Sequence, residues 1–343
     1  MSKHRKKKER IFDVYSQNFA FVKKHPEIKI DPDIPNSYMC PLCLNGFTKA
    51  DLSDTVENPL TFEDIPPKSM GGKPIILTCK MCNSTAGHKL DAHLLHILED
   101  ESFKGFSPNS KADVTYHKDG KKMNGDIKID ENGKWHMNFD PKRSNPKDAN
   151  YILKELNSRS IRVVDYETLM NYKSDSFKFN FKARERGLNR NAEVNMLRIA
   201  YLLAFAKFGY GFIINPNLYK IREQILNPNE DILKQVFWLR YDFTDNYIGT
   251  HIIFHPKEMI SFLIVFKLKT KSFNRNFGIV LPGPNPPGLK VYDFINDKLC
   301  VGDGTENCEF LMQPFSNTNF VSEERYAFAS HQLWQNILNQ NIK

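Results

Sequence analysis

The segment that decides the fold begins with Tyr38-Met39-Cys40-Pro41-Leu42-Cys43, continues through Phe62-Glu63-Asp64-Ile65-Pro66-Pro67-Lys68-Ser69-Met70-Gly71-Gly72 and ends with Leu77-Thr78-Cys79-Lys80-Met81-Cys82-Asn83. It contains two Cys-x-x-Cys pairs, and each pair places two thiolates within reach of one ion. Two such pairs form the usual ligand set of a tetrahedral structural zinc. The alternatives are chance pairs or a redox pair in a reduced protein. The sequence therefore predicts a zinc site at Cys40, Cys43, Cys79 and Cys82.

The residues between and after the two pairs predict a hairpin and a helix. Residues 60–62 form a short β-prone run, residues 66–74 are rich in Pro and Gly, and residues 75–78 read as a second strand. Residues 83–99 predict a helix, because its apolar side chains recur at helical spacing. These side chains are Leu90, Leu94, Ile97 and Leu98. Asp91 lies beside this stripe and is interpreted as a solvated helix carboxylate. Strand, loop, strand and helix around a zinc is the plan of a ββα-metal finger.

About sixty residues, 38–98, resemble the HNH endonuclease family in the form whose hairpin is clamped by a four-cysteine zinc. The family pattern is Cys-x-x-Cys, then Asp-His-Ile-x-Pro-x-Ser-x-Gly-Gly, then Cys-x-x-Cys-Asn. The positions that match outside the cysteines are Ile65, Pro67, Ser69, Gly71, Gly72 and Asn83.

The resemblance implies a metal-dependent endonuclease that hydrolyses phosphodiester bonds in DNA. In the family, the acidic residue of the Asp-His pair and the Asn after the last Cys hold a catalytic divalent metal, while the His activates water. By register, Glu63 and Asn83 would hold Mg²⁺ or Mn²⁺, and Lys68, Lys73 and Lys89 are the candidate nucleic-acid contacts. Two cuts in a duplex usually call for two active sites, so a homodimer is a possible arrangement. By association with other HNH enzymes that carry an extra domain, the resemblance suggests restriction or phage defence.

The chain departs from the family pattern at the general base, where Asp64 replaces the His. A second departure is Pro74, which lies near the place of an Asn in the second strand. An unperturbed Asp binds a proton about 3.5 kcal/mol less tightly than His, so it is a weaker base near neutral pH. Three roles for Asp64 follow: a base of raised pKa, a further oxygen ligand of the metal, or a residue of a finger that is no longer catalytic. The alternative function is therefore a catalytically inactive zinc module that binds nucleic acid or protein. A third candidate function is a sensor in which the larger domain detects a signal and the finger carries out the response.

Charge and composition limit the function classes. The chain has 343 residues, 41% of them hydrophobic, and a net charge of +8, which is consistent with a polyanionic partner. Residues 1–10 carry six Lys or Arg and one Glu, whereas residues 11–100 have eight basic and twelve acidic residues. Lys3 to Lys8 are predicted to form a disordered arm, either a nucleic-acid contact or a solubilising tail. No apolar run or leader segment predicts membrane insertion or secretion, and reduced cysteines favour a cytoplasmic protein.

The predicted fold class is α+β, with the finger followed by a larger mixed domain. Residues 1–37 form a basic arm and lead-in, residues 38–100 the finger, and residues 101–343 an α+β domain that would bind substrate or regulate activity. Within the last range the sequence predicts a β-meander at 101–150, a helix from 145, a half-buried strand at 177–182, a core helix at 192–208 and a helix at 218–226. Strands are predicted at 248–254, 259–268 and 277–281.

Overall fold

The computed structural model describes residues 3–157, 180–183, 190–233, 238–239, 243–299, 307–315 and 319–340. The α+β class is confirmed. The chain divides into two compact units. The first consists of Met1–Leu94, Arg190–Leu268 and Arg275–Lys343, and the second of Leu95–Asn189 and Lys269–Asn274. Residues 101–343, predicted as one domain, are thus shared between the two units.

The chain begins with helix α1 (Lys3–Lys23), so the predicted disorder of the basic arm is wrong. Apolar residues farther along the helix give it a buried face of helical spacing, which includes Phe12 and Phe19. Lys8 belongs to the same buried face: its Nζ donates to the Leu52 carbonyl at 2.8 Å and to Asp54 Oδ1 at 3.3 Å. Packing of this face therefore keeps the basic residues helical despite their like charges.

The predicted finger hairpin and helix are confirmed. Strand β1 (Tyr38–Met39) pairs with β2 (Gly46–Phe47), and β3 (Leu60–Ile65) pairs antiparallel with β4 (Lys73–Cys79). Helix α2 (Lys80–Ala86) follows, then a π-helical turn (Gly87–Asp91) and helix α3 (Ala92–Lys104). The turn begins at Gly87, a residue type of weak helix propensity. The predicted apolar stripe is buried, as seen for Leu90, Leu94, Ile97 and Leu98.

The second unit contains an antiparallel sheet and a helix. Strands β5 (Lys111–Lys118), β6 (Lys121–Ile129) and β7 (Trp135–Phe139) form the predicted meander, and helix α4 (Pro146–Asn157) follows it. Strand β8 (Asn180–Ala183) pairs with β5, so the end of the strand predicted at 177–182 is confirmed, while residues 177–179 lie outside the described residues. Alternating side chains of the meander form the core of this sheet, among them Val114, Tyr116, Ile127 and Ile129.

The remainder of the first unit is built on helix α5 (Arg190–Phe208), the predicted core helix. It is followed by α6 (Tyr210–Ile213) and α7 (Leu218–Leu226). Among the described residues, five strands form one sheet: β9 (Trp238–Leu239), β10 (Gly249–His255), β11 (Ser261–Lys269), β12 (Asn274–Pro282) and β13 (Glu309–Gln313). Their order is β13-β10-β11-β12-β9, and the predicted strands in this sheet are confirmed. The last helices are α8 (Val291–Phe294), α9 (Asn319–Ser322) and α10 (Ala329–Gln340).

Helix α5 is central because it is buried along nearly its whole length rather than on one face. Fifteen of its nineteen residues are buried, and three of these, Asn195, Arg198 and Lys207, are polar or charged. Buried polar groups require partners, so these three residues show where α5 makes specific contacts. None of the helices within the described ranges has the length and apolar character needed to cross a membrane.

Candidate functional site

The four cysteines of the two pairs meet at one point. Cys40 and Cys43 lie in the tight turn between β1 and β2, Cys79 ends β4, and Cys82 lies in the first turn of α2. All four sulfur atoms lie within 4.8 Å of one another, and the Sγ atoms of Cys43 and Cys79 are 3.8 Å apart. A tetrahedral ion with metal–sulfur bonds of about 2.3 Å has sulfur–sulfur edges of about 3.8 Å, as for zinc. The cluster is therefore close enough to hold one metal ion.

The local backbone explains the position of the first pair. The amide of Cys40 donates to the Asn45 carbonyl, and the amide of Leu44 donates to the Cys40 carbonyl, both at 2.9 Å. Leu44 has a left-handed backbone with φ of 62°, which closes the turn. Burial raises the pKa of the Cys40 thiol well above its ordinary value. A bound cation would offset this penalty, because metal ions favour the thiolate form.

Glu63, the predicted acidic ligand, is buried and has two partners within the protein. The hydroxyl of Thr78 on β4 donates to Glu63 Oε2 at 2.7 Å. The Nη2 group of Arg198, on helix α5, donates to Glu63 Oε1 in a short contact. The side chains of Glu63 and Arg198 are only 3% and 2% exposed, so this ion pair is sealed from solvent.

A second carboxylate contacts the same guanidinium. Asp91 Oδ1 lies 3.4 Å from Arg198 Nη1 and accepts a hydrogen bond from Asn195 Nδ2 at 3.0 Å. Burial raises the pKa of both Glu63 and Asp91, while the Arg198 charge lowers it. With both acids ionised, this cluster of Glu63, Asp91, Asn195 and Arg198 has a net charge of −1. We call it the Arg198 cluster.

The sequence interpretation missed the Arg198 cluster. Asp91 is 25% exposed and ion-paired, so its interpretation as a solvated carboxylate is wrong. The available signal was a single arginine inside the long apolar run of residues 194–206, since a charge in a buried helix requires a counter-charge.

Asn83, the second predicted metal ligand, connects the finger helix to the hairpin. Its Nδ2 donates to Thr61 Oγ1 at 3.0 Å and to the Phe62 carbonyl at 2.8 Å. Asp64 is half-buried and lies opposite Pro74, where the partner strand has a bulge at Ile75. Because successive strand residues point to opposite faces, Asp64 shares the face of Phe62 rather than that of Glu63. The catalytic roles assigned to Glu63, Asp64 and Asn83 stay predictions.

A divalent metal at Glu63 does not fit this arrangement. Both carboxylate oxygens already have hydrogen-bond donors, one of them a cation, and a metal would have to displace the guanidinium. Among the described residues, the four cysteines are the one group of three or more His, Cys, Asp or Glu side chains that could hold an ion.

The face of the hairpin that carries Phe62 is next to the basic start of α1. The His4 ring packs edge-on against the Phe62 ring with centroids 4.7 Å apart, and Lys7 Nζ lies 5.7 Å from the centre of the same ring. Lys3 and Lys6 are also exposed in these first turns. The candidate contacts Lys68, Lys73 and Lys89 are exposed on the finger. We call the first group, Lys3, His4, Lys6 and Lys7, the basic helix start.

Comparison with known protein families, with curated proteins and with solved structures finds no match to this chain. The likeness to HNH enzymes therefore rests on the motif residues of the finger. The structure brings four cysteines close enough to hold a metal ion, and this is the part of the motif that its geometry supports.

Proposed function

We propose that this chain binds nucleic acid, with DNA as the expected partner, through the basic helix start and the adjacent hairpin of a zinc-clamped HNH-like finger. The observation that carries this proposal is the packing of His4 and Lys7 against Phe62. It fixes a group of cations on the exposed side of the finger. Zinc at the four cysteines would hold the hairpin and α2 together beneath this surface.

The physical basis of binding is phosphate neutralisation. Lysines contact the nucleic-acid backbone and release condensed counterions, which gives affinity that falls steeply with salt. Lys3, Lys6 and Lys7 form no ion pair with a residue of the described ranges, so no carboxylate in those ranges pairs with their charges. The amino-terminal end of α1 adds the positive end of the helix dipole to the same region. The finger alone has more acidic than basic residues, so it does not provide this positive electrostatic potential.

Binding without hydrolysis is the function that the geometry supports best. In an HNH-type site the acidic residue must hold a cation that also contacts the phosphate. Here the carboxylate of Glu63 is buried against Arg198, and Asp64 replaces the general base. Two of the three residue roles that the resemblance implies are thus altered. The general base is replaced in the sequence, and the acidic metal ligand is paired with an arginine in the structure.

The second candidate is a metal-dependent endonuclease that uses Mg²⁺ or Mn²⁺. The observation in its favour is Asp64, which stays half-exposed on the face that carries Phe62 and the nearby cations. Asn83 lies under the same strand through its hydrogen bond to the Phe62 carbonyl. This candidate requires Glu63 to exchange Arg198 for a metal ion.

The binding proposal predicts that Lys6→Glu/Lys7→Glu weakens DNA binding by about 10- to 100-fold at 0.1 M salt, the effect of losing two phosphate contacts. The slope of log K against log salt should fall by about 2. Fluorescence anisotropy with a labelled duplex measures both quantities. The matched control is Lys257→Glu/Lys290→Glu, which makes the same charge change at exposed lysines elsewhere in the first unit. An equal loss in the control, or no binding by the native chain, would overturn the proposal.

Plasmid cleavage with Mg²⁺ or Mn²⁺ distinguishes the two candidates. We expect no nicking above background by the native chain or by Asp64→His. In both proteins the Arg198 guanidinium is paired with the Glu63 carboxylate, which would otherwise have to bind the metal. Zinc content measured in each sample confirms that the finger is intact. Nicking by the native chain that disappears in Glu63→Ala and Asp64→Ala would establish the endonuclease and reject binding without hydrolysis.

A further inference from the structure

We infer that the Arg198 guanidinium is a built-in replacement for a divalent cation, and that removing it converts its carboxylate partners into a metal site. This inference deepens the proposed function and rests on it for the register that aligns Glu63 with a metal position. It assigns Arg198 a positioning role: the residue supplies from helix α5 the positive charge that the finger would otherwise take from solution.

The charge balance of the Arg198 cluster supports this inference. An ionised carboxylate buried without a counter-charge is strongly disfavoured, so Glu63 requires a cation at this place in order to stay ionised. Arg198 itself is 1% exposed and has no route to neutralise its charge by losing a proton. The two groups therefore depend on each other, and either a guanidinium or a metal ion, but not both, would satisfy Glu63.

The donor set around Arg198 suits a hard cation. Its two terminal nitrogens contact carboxylates from two separate elements, Glu63 on β3 and Asp91 in the π-helical turn. Asn195, one turn before Arg198 on α5, presents its Oδ1 atom 3.5 Å from Nη1. Without the guanidinium, two carboxylates and an amide oxygen would surround the vacated volume. Oxygen ligands of this kind are those that Mg²⁺, Mn²⁺ and Ca²⁺ prefer.

The test measures Mn²⁺ binding by the full-length chain, loaded with zinc, by electron paramagnetic resonance of the free ion and by thermal unfolding. Arg198→Met replaces the arginine with an apolar side chain of similar length and so removes the charge. We expect it to bind one Mn²⁺ per chain and its melting temperature to rise by about 3 °C or more with saturating Mn²⁺. The native chain should show neither effect. Zinc content is measured in parallel, because Mn²⁺ must not have entered the cysteine cluster.

Two further variants identify the ligands. Arg198→Met/Glu63→Gln should lose the Mn²⁺ response, because the carboxylate that replaces the guanidinium contact is gone. Arg198→Lys keeps a cation at the same position and should remain insensitive to Mn²⁺. A folded Arg198→Met protein that binds no Mn²⁺ would overturn the inference.

The native chain provides a test that does not depend on the folding of Arg198→Met. We expect equal Mn²⁺ binding by the native chain and by Glu63→Gln, since Glu63 has no metal to lose. Mn²⁺ that binds the native chain and is lost in Glu63→Gln would show that Glu63 is already a metal ligand and would reject the inference. None of these readouts involves DNA, so they separate failure of this inference from failure of the proposed binding function.

Discussion

Cys79→Ala is expected to abolish the folded finger, with loss of the bound metal and of the cooperative unfolding transition of the first unit. Structural zinc contributes about 10–16 kcal/mol to the folding of small zinc modules. This is comparable to the net stability of a whole domain, about 5–15 kcal/mol. Cys79 joins β4 to α2 and is fully buried, so its loss also removes a ligand from the centre of the finger. Zinc content by mass spectrometry and thermal unfolding by circular dichroism measure the two effects.

The matched control is Cys308→Ala, which removes a thiol outside the four-cysteine cluster. It should keep one zinc per chain and a melting temperature close to that of the native protein. Chelator treatment of the native chain should reproduce the Cys79→Ala result, and added Zn²⁺ should reverse it. A metal-free protein with an unchanged melting temperature would show that packing alone maintains the finger and would contradict a structural role for the metal.

Local features of the finger could be predicted because their causes are local. The Cys-x-x-Cys pairs determine which atoms can approach an ion, and the Pro- and Gly-rich segment between two β-prone runs predicts a hairpin. The spacing of Leu90, Leu94, Ile97 and Leu98 determines which face of the following helix is buried. Each of these inferences uses residues a few positions apart. The structure confirms the hairpin and the buried face of the helix, and it brings the four cysteines close enough to hold a metal ion.

The contacts that decide the chemistry could not be predicted from the sequence, because they join distant segments. Glu63 and Arg198 are 135 positions apart, and the pattern of α5 shows that Arg198 is buried without showing which carboxylate it meets. The same limit explains the error at the amino terminus. The local charge of Lys3 to Lys8 favours disorder, whereas the helix depends on apolar residues such as Phe12 and Phe19.

The Arg198 cluster also determines how firmly the finger is attached to α5. Another buried contact between α5 and the finger is the hydrogen bond that the Tyr201 hydroxyl donates to the Pro41 carbonyl at 2.8 Å. The acceptor of this hydrogen bond is a neutral carbonyl. Among the ion pairs of the described residues, the pair of Glu63 and Arg198 is the one in which both side chains are buried. We therefore expect it to contribute more to the attachment of the finger to α5 than this hydrogen bond does.

Arg198→Met is therefore expected to lower the free energy of unfolding by about 3–5 kcal/mol in the absence of divalent ions, the loss seen when one partner of a buried ion pair is removed. Glu63→Met should also lower it, although by less, because Asp91 remains as a counter-charge for the guanidinium. The double variant should be less destabilised than the sum of the two, since neither charge then remains buried without its partner. Urea unfolding of the four proteins gives the coupling energy, which we expect at about 1–3 kcal/mol.

Arg222→Met provides the control for this cycle. Arg222 is also buried, but it donates to the Ile213 carbonyl and the Tyr201 hydroxyl rather than to a carboxylate. Its loss should lower the free energy of unfolding by about 1–3 kcal/mol, the range for an unsatisfied buried polar group, and should show no coupling to Glu63→Met. Additive effects of Arg198→Met and Glu63→Met would mean that the two charges do not stabilise each other, and the guanidinium could not then substitute for a cation. If Arg198 is the internal counter-charge of Glu63, a coupling energy should be found between Arg198→Met and Glu63→Met but not between Arg222→Met and Glu63→Met.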